Sequence, residues 1–127
     1  MGNKTNLSFF NAYLELDKAC AKKLDIKRNG VSEYIGRLVD LRFAPERGEV
    51  LPKLIQYRKI RNVLAHEEGA LSELSEITKS DIQWITKFTK SVGKGSDPVS
   101  LYEKKAKRYA IWRKAKIVII AVASALV

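Results

Sequence analysis

"VLPKLIQYRKIRNVLAHEEG", residues 50–69, contains the chain's single histidine and an arginine where the pattern calls for a leucine. Stepping at about 100° per residue puts Val50, Leu54, Tyr57, Arg61 and Leu64 on one stripe. Their spacings are 4, 3, 4 and 3. This predicts an amphipathic helix that starts near Gly48, runs through Arg61 and ends by Gly69. Pro52 falls in its first turn, where a missing N–H costs little. A second line holds Leu51, Ile55, Asn62 and His66, with Arg58 beside it. One face is thus core with a guanidinium in it, and the other is partly apolar and ends in Asn and His. A guanidinium keeps its charge when dried, so it needs an anionic partner or a wet tip. Snorkelling at the core edge would satisfy it, and a histidine at a helix C-terminus suits the dipole.

Similar patterns extend to both sides. Residues 7–27 predict a first helix, with Phe10, Leu14 and Ala21 on its apolar side and Gly30 as a left-handed stop. Residues 31–43 predict a second, buried through Tyr34, Ile35, Leu38, Val39 and Leu41, with Pro45 after it. A loop over 70–79 is pinned by Leu71, Leu74 and Ile77. "SDIQ" (80–83) reads as a capping box opening a helix over about 81–92. "GKGSDP" (93–98) reads as a linker, with Asp97 as cap and Pro98 opening a last helix. No run looks like a strand pair joined by a hairpin turn. The expected fold is all-α, a compact bundle of four to five helices. Residues 1–92 form the helical domain and 93–98 the linker. Residues 99–127 form a basic-apolar helix whose first half packs on the bundle.

The 127 residues suit one domain. Hydrophobic residues make up 46% and charged residues 30%, which excludes a disordered chain. A net charge of +10 and pI near 9.8 draw anions: RNA, DNA or an acidic membrane surface. Cys20 is the only cysteine, so no intrachain disulfide can form and a reducing, cytoplasmic setting is expected. One Cys and one His cannot fill a zinc shell, so neither metal nor cofactor is expected.

"RNVLAH" (61–66) resembles the Arg-x4-6-His signature of the HEPN superfamily. Its members are compact helical bundles and often metal-independent endoribonucleases. The motif favours a polar residue after the Arg, and Asn62 fits. The resemblance implies a HEPN-like, two-fold symmetric dimer whose motif helices pack across the axis. Arg61, Asn62 and His66 would be its catalytic residues. HEPN toxins paired with nucleotidyltransferase antitoxins often place a Tyr two residues after the His, and this chain departs there with Glu68.

In that chemistry the substrate's own 2′-hydroxyl attacks, leaving 2′,3′-cyclic phosphate and 5′-hydroxyl ends. His66 can move a proton near neutral pH. Arg61 can hold phosphate charge through a bidentate contact, and Asn62 can fix the imidazole or bond the phosphate. Lys53, Arg58 and Lys59 would engage RNA phosphates without reading bases. Arg61 and His66 lie about 140° apart on an ideal helix. Either the helix unwinds before Gly69, or the site is composite, with Leu51 and Ile55 at the dimer interface. Tyr57 and Trp84 could stack on bases, though aromatics at helical spacing more often belong to a core.

Two function classes follow. One is a HEPN-type endoribonuclease, a toxin or defence effector, with an antitoxin or regulatory protein as a candidate partner. The other is a non-catalytic HEPN-like module that binds RNA or protein. The tail adds a separate signal. Glu103 to Lys116 carries seven Lys or Arg against one Glu, and Ile117 to Val127 is apolar apart from Ser124. Three readings stay open: a core or dimer helix packed as far as Tyr109, a membrane-surface segment, or the first half of a longer span. Residues 104–127 are accordingly the candidate membrane contact.

Overall fold

Phe9, Tyr13, Leu16 and Cys20 are all buried and form one seam at spacings of 4, 3 and 4. The chain folds around that seam. The computed structural model describes residues 2–67, 69 and 76–125. Among them are five helices and no strand: α1 (Gly2–Leu24), α2 (Gly30–Asp40), α3 (Arg47–His66), α4 (Lys79–Lys94) and α5 (Pro98–Ala125). α1 packs against α2, α3 and α4, while α2 also touches α3 and the start of α5. The first four helices make the bundle, and the all-α expectation holds. α1 begins earlier than the apolar pattern predicts, and its main seam lies one residue before Phe10 and Leu14. Those two are half-buried on its flank, because a helix wedged between three others needs more than one apolar stripe.

An aromatic ladder fills the centre. Phe9 meets Tyr57 edge-on at 5.7 Å, and Tyr34 meets Phe88 edge-on at 5.6 Å. Trp84 stacks on Phe88 at 5.1 Å and contacts Tyr57 at 5.7 Å. These offset and edge contacts stabilise beyond the area they bury. Tyr57 and Trp84 are therefore core residues.

The corners differ from the sequence expectation in instructive ways. Gly30 is the first residue of α2 and not a left-handed stop. Asp25 and Asn29 take the left-handed conformation, at φ 56° and 59°. Gly30 is small because α1 and α2 nearly touch there, as the Asp17 carbonyl and Ala21 N–H crowd it. Asp17 Oδ1 also accepts from Val31 N at 3.0 Å, pinning the same corner. Pro52 lies beyond the first turn of α3, which begins at Arg47. The Arg47 side chain reaches back to the Leu38 and Val39 carbonyls at 2.8 and 3.0 Å and closes the end of α2. α4 is capped by Thr78 with Asp81, not by Ser80 with Gln83. Asp81 wins because its carboxylate also accepts from Tyr57 Oη at 2.8 Å, tying α3 to α4. Burial opposes ionisation of Asp81, but these donors outweigh it and hold its pKa below the usual value.

Gly93 and Lys94 end α4, and Gly95 turns left-handed at φ 72°. Asp97, Pro98, Val99 and Ser100 follow, all buried. Asp97 caps α5 as expected, accepting from Ser100 N at 3.1 Å and Ser100 Oγ at 2.5 Å. Its Oδ2 also accepts from Tyr34 Oη at 2.6 Å, and Tyr34 Oη accepts from Val99 N at 3.2 Å. This buried polar knot fastens α5 to α2. Asp97→Ala should leave three of its donors unmatched and lower stability by about 2–4 kcal/mol, read as a lower urea midpoint at unchanged slope. A loss under about 0.5 kcal/mol would contradict the knot.

Packing of α5 stops sooner than expected. Val99 is buried and Tyr102 half-buried, but every side chain from Glu103 to Ser124 is exposed. Ala106 and Tyr109 are exposed and only line an open cleft with Phe43, Pro45 and Tyr102, so they do not join the core. Ile77 is buried as expected, whereas Leu71 and Leu74 lie outside the described residues.

Candidate functional site: an arginine-lined cleft on the third helix

The helix that carries the motif buries Val50, Leu54, Tyr57 and Leu64, the stripe its spacing predicts. Arg61 lies between Tyr57 and Leu64 on this face and is half-buried. Its guanidinium carbon lies 5.9 Å from the Phe10 ring centre on α1. Its Nε is buried with no hydrogen-bond acceptor. Nη1 reaches only the neighbouring Asn62 Oδ1, at 3.3 Å. No ion pair joins Arg58 or Arg61 to an acid among the described residues. Arg58 makes one long contact, 3.5 Å to Ser32 Oγ on α2.

Arg58, Arg61 and Asn62 line a polar cleft of about 100 Å³, with Tyr13, Leu14 and Asp17 from α1, and Asn29 and Ser32 from the next corner. Asp17 Oδ1 accepts from the Val31 N–H, which fixes the carboxylate at the wall of the cleft. Burial raises the Tyr13 phenol well above its ordinary range, with Asp17 pushing the same way and Arg61 opposing. Tyr13 therefore keeps its proton at neutral pH and can donate. The cleft offers two guanidinium groups, two amides, a phenol and a hydroxyl beside the Asp17 carboxylate, a net positive lining that suits an oxyanion such as a phosphate.

Other sequence-predicted residues lie elsewhere. His66 is the last residue of α3 and is exposed, outside the residues lining this cleft. α3 stays helical through His66, so it does not unwind between the two motif residues, and within one chain they diverge by about 140°. Lys53 Nζ sits 5.1 Å from the Trp84 ring centre, on the side facing α4. Lys59 lines a separate apolar cleft with Gln56, Ile60, Val63 and Glu76. Leu51 is half-buried, and Ile55 is 39% exposed. Glu67 is exposed, and Glu68 lies outside the described residues.

Tyr13, Asn29 and Ser32 escaped the sequence reading. Their signal is faint, since only the folded corner brings "RNGVS" (28–32) opposite Arg58 and Arg61. Cys20 is buried, and burial pushes its thiol up to about 12, which removes it as a nucleophile. Among the described residues no group of three or more His, Cys, Asp or Glu is placed to hold a metal.

Fold and cleft together define an all-α bundle whose third helix carries two arginines that form no ion pair among the described residues. The chain belongs to the family described as a family of unknown function (DUF6548), which matches residues 7–122. Comparison with curated proteins and with solved structures gives no match.

Proposed function

We propose that the protein is a HEPN-type, metal-independent endoribonuclease that works as a two-fold symmetric dimer and serves as a toxin or defence effector. The observation that carries this reading is the cleft itself: Arg58 and Arg61, unpaired with any described acid, meet Asn62 at the Arg-Asn-x3-His motif. Asp17 lines the same cleft but forms no ion pair with either arginine, and a half-dried guanidinium without such a pair is costly unless it serves an anion. RNA phosphate is the anion that a +10 chain with this motif would meet.

Arg61 binds the scissile phosphate and steadies the charge that builds on it. His66 shuttles the proton between the 2′-hydroxyl and the leaving 5′-oxygen. Asn62 orients one of them, and Arg58 holds the neighbouring phosphate. One chain points Arg61 and His66 apart, so the partner supplies the missing half. Leu51 and Ile55 lie on the His66 side, and the apolar surface that half-buried Leu51 and exposed Ile55 present suits the axis. An antitoxin or regulatory protein would act by covering that cleft.

The divergence of Arg61 and His66 also favours a second reading, a module that binds RNA or protein without cutting. Purified protein with labelled RNA and excess chelator separates the two. The endoribonuclease gives fragments ending in 2′,3′-cyclic phosphate, whereas retention without fragments favours the binding module. Leu51→Glu and Ile55→Glu should each yield folded, inactive monomers, because a charge on both sides of a two-fold axis faces its own copy. Light scattering that shows a wild-type monomer at micromolar concentration would contradict the dimer.

A further inference from the structure

We infer that α5 anchors the bundle to an anionic lipid bilayer by inserting its apolar end, with its basic segment at the headgroups. The inference rests on how residue types are distributed along this helix, and it stands apart from the ribonuclease reading. α5 is continuous from Pro98 to Ala125, its side chains are exposed from Glu103 to Ser124, and the last of them to share a cleft with the bundle is Tyr109. Lys104, Lys105, Lys107, Arg108, Arg113, Lys114 and Lys116 then occupy every side of the helix when stepped at about 100° per residue. Ile117, Val118, Ile119, Ile120 and Val122 do the same, and each is 54–68% exposed. Polarity thus changes along the axis and not across it.

That distinction selects the occupant. A helix lying flat on a membrane, or pairing with a second copy, needs an apolar stripe along its length. The stripe of α5 runs only as far as Tyr109, and Arg113 interrupts it at the next step. A segment that is apolar on all sides fits an environment that surrounds it, and a collar of seven cations matches a negatively charged lipid surface. Tyr109 and Trp112 lie within the basic segment, with ring centres 6.2 Å apart, and Lys116 Nζ, at the start of the apolar run, is 5.2 Å from the Trp112 ring. Amphipathic aromatics beside basic residues are the usual furnishing of the membrane–water boundary.

Length sets the depth. Residues 117–125 rise about 1.5 Å each, roughly 13 Å in all, against a hydrocarbon core of about 30 Å. They reach less than halfway, and no helix among the described residues is long and apolar enough to cross a membrane. The described part of α5 therefore enters one leaflet and holds the bundle at the surface.

Flotation of the full chain with vesicles tests this. Vesicles of phosphatidylcholine with 30% phosphatidylglycerol should bind at least about 10-fold more protein than pure phosphatidylcholine. Brominated lipid should quench Trp112 fluorescence, with Trp112→Phe identifying the signal. Ile119→Asp with Ile120→Asp changes only exposed positions, so the bundle should keep its circular dichroism while vesicle binding falls about 10-fold or more. No flotation with anionic vesicles would overturn the anchor. So would wild-type flotation by the double Asp variant, because the basic collar would then suffice without insertion. Loss of dimer in that variant, with no flotation by wild type, would assign the tip to a second copy instead.

Discussion

His66→Ala should lower RNA cleavage by about 10²–10⁴-fold, as removal of a general acid–base does. Arg61→Ala should lower it by about 10² or more, through loss of charge stabilisation at the phosphate. The two substitutions should differ in their structural signature. His66 is exposed at the end of α3, so its replacement should leave stability unchanged. Arg61 packs over Phe10 and carries an unmatched buried Nε, so its replacement removes both a contact and an unsatisfied donor. Its thermal midpoint should therefore shift little. Arg61→Lys discriminates further: it keeps the charge but loses the planar fork, and should recover little activity. Near-normal cleavage by His66→Ala or Arg61→Ala would remove that residue from the mechanism. Unfolding of Arg61→Ala would make the arginine a structural one.

Gly30→Ala should be the most damaging small substitution in the bundle. A Cβ at this position would lie 2.1 Å from the Asp17 carbonyl oxygen and 2.4 Å from the Ala21 nitrogen. Both are backbone atoms of α1, so relief requires α1 and α2 to separate along their whole contact. Overpacking of that kind costs about 3 kcal/mol or more. For a domain of this size the thermal midpoint should fall by roughly 10–20 °C. Gly36→Ala is the matched control, since nothing lies within 4 Å of its Cβ, and it should be neutral or slightly stabilising. Equal midpoints for the two variants would contradict the close approach.

The contrast between these glycines shows where sequence reasoning stops. Helix existence was legible because period and breakers are local. The stripe Val50, Leu54, Tyr57 and Leu64 is buried, and Asp97-Pro98 opens α5. What went wrong was decided by contacts distant in sequence. Thr78 and Ser80 both precede a residue able to complete a capping box, and the choice between them came from Tyr57, on another helix. Gly30 looked like a stop because glycine commonly ends helices. Its real constraint comes from the α1 backbone ten or so residues earlier, which no local pattern encodes. α5 kept an apolar spacing through Tyr109, but spacing does not reveal whether a neighbour is there to receive it.

The candidate site divides along the same line. Arg61 and Asn62 declared themselves by type and position, the first as a cation on a dry face. Tyr13, Asn29 and Ser32 face them only after α1 folds back on α2 and α3. The relation between Arg61 and His66 is not decided inside one chain at all, since an unbroken α3 holds them on different sides. The contribution of the proposed partner subunit is therefore the claim most in need of a test.

Mixing the two inactive variants tests that contribution directly. Purified Arg61→Ala and His66→Ala proteins are combined in equal amounts, unfolded, refolded together and assayed on RNA in excess chelator. If each cleft takes its arginine from one chain and its histidine from the other, every mixed dimer rebuilds one intact cleft. Random exchange then restores about a quarter of wild-type activity from two inactive parents. Recovery no greater than the parents, with mixed dimers demonstrably formed, would contradict the composite cleft.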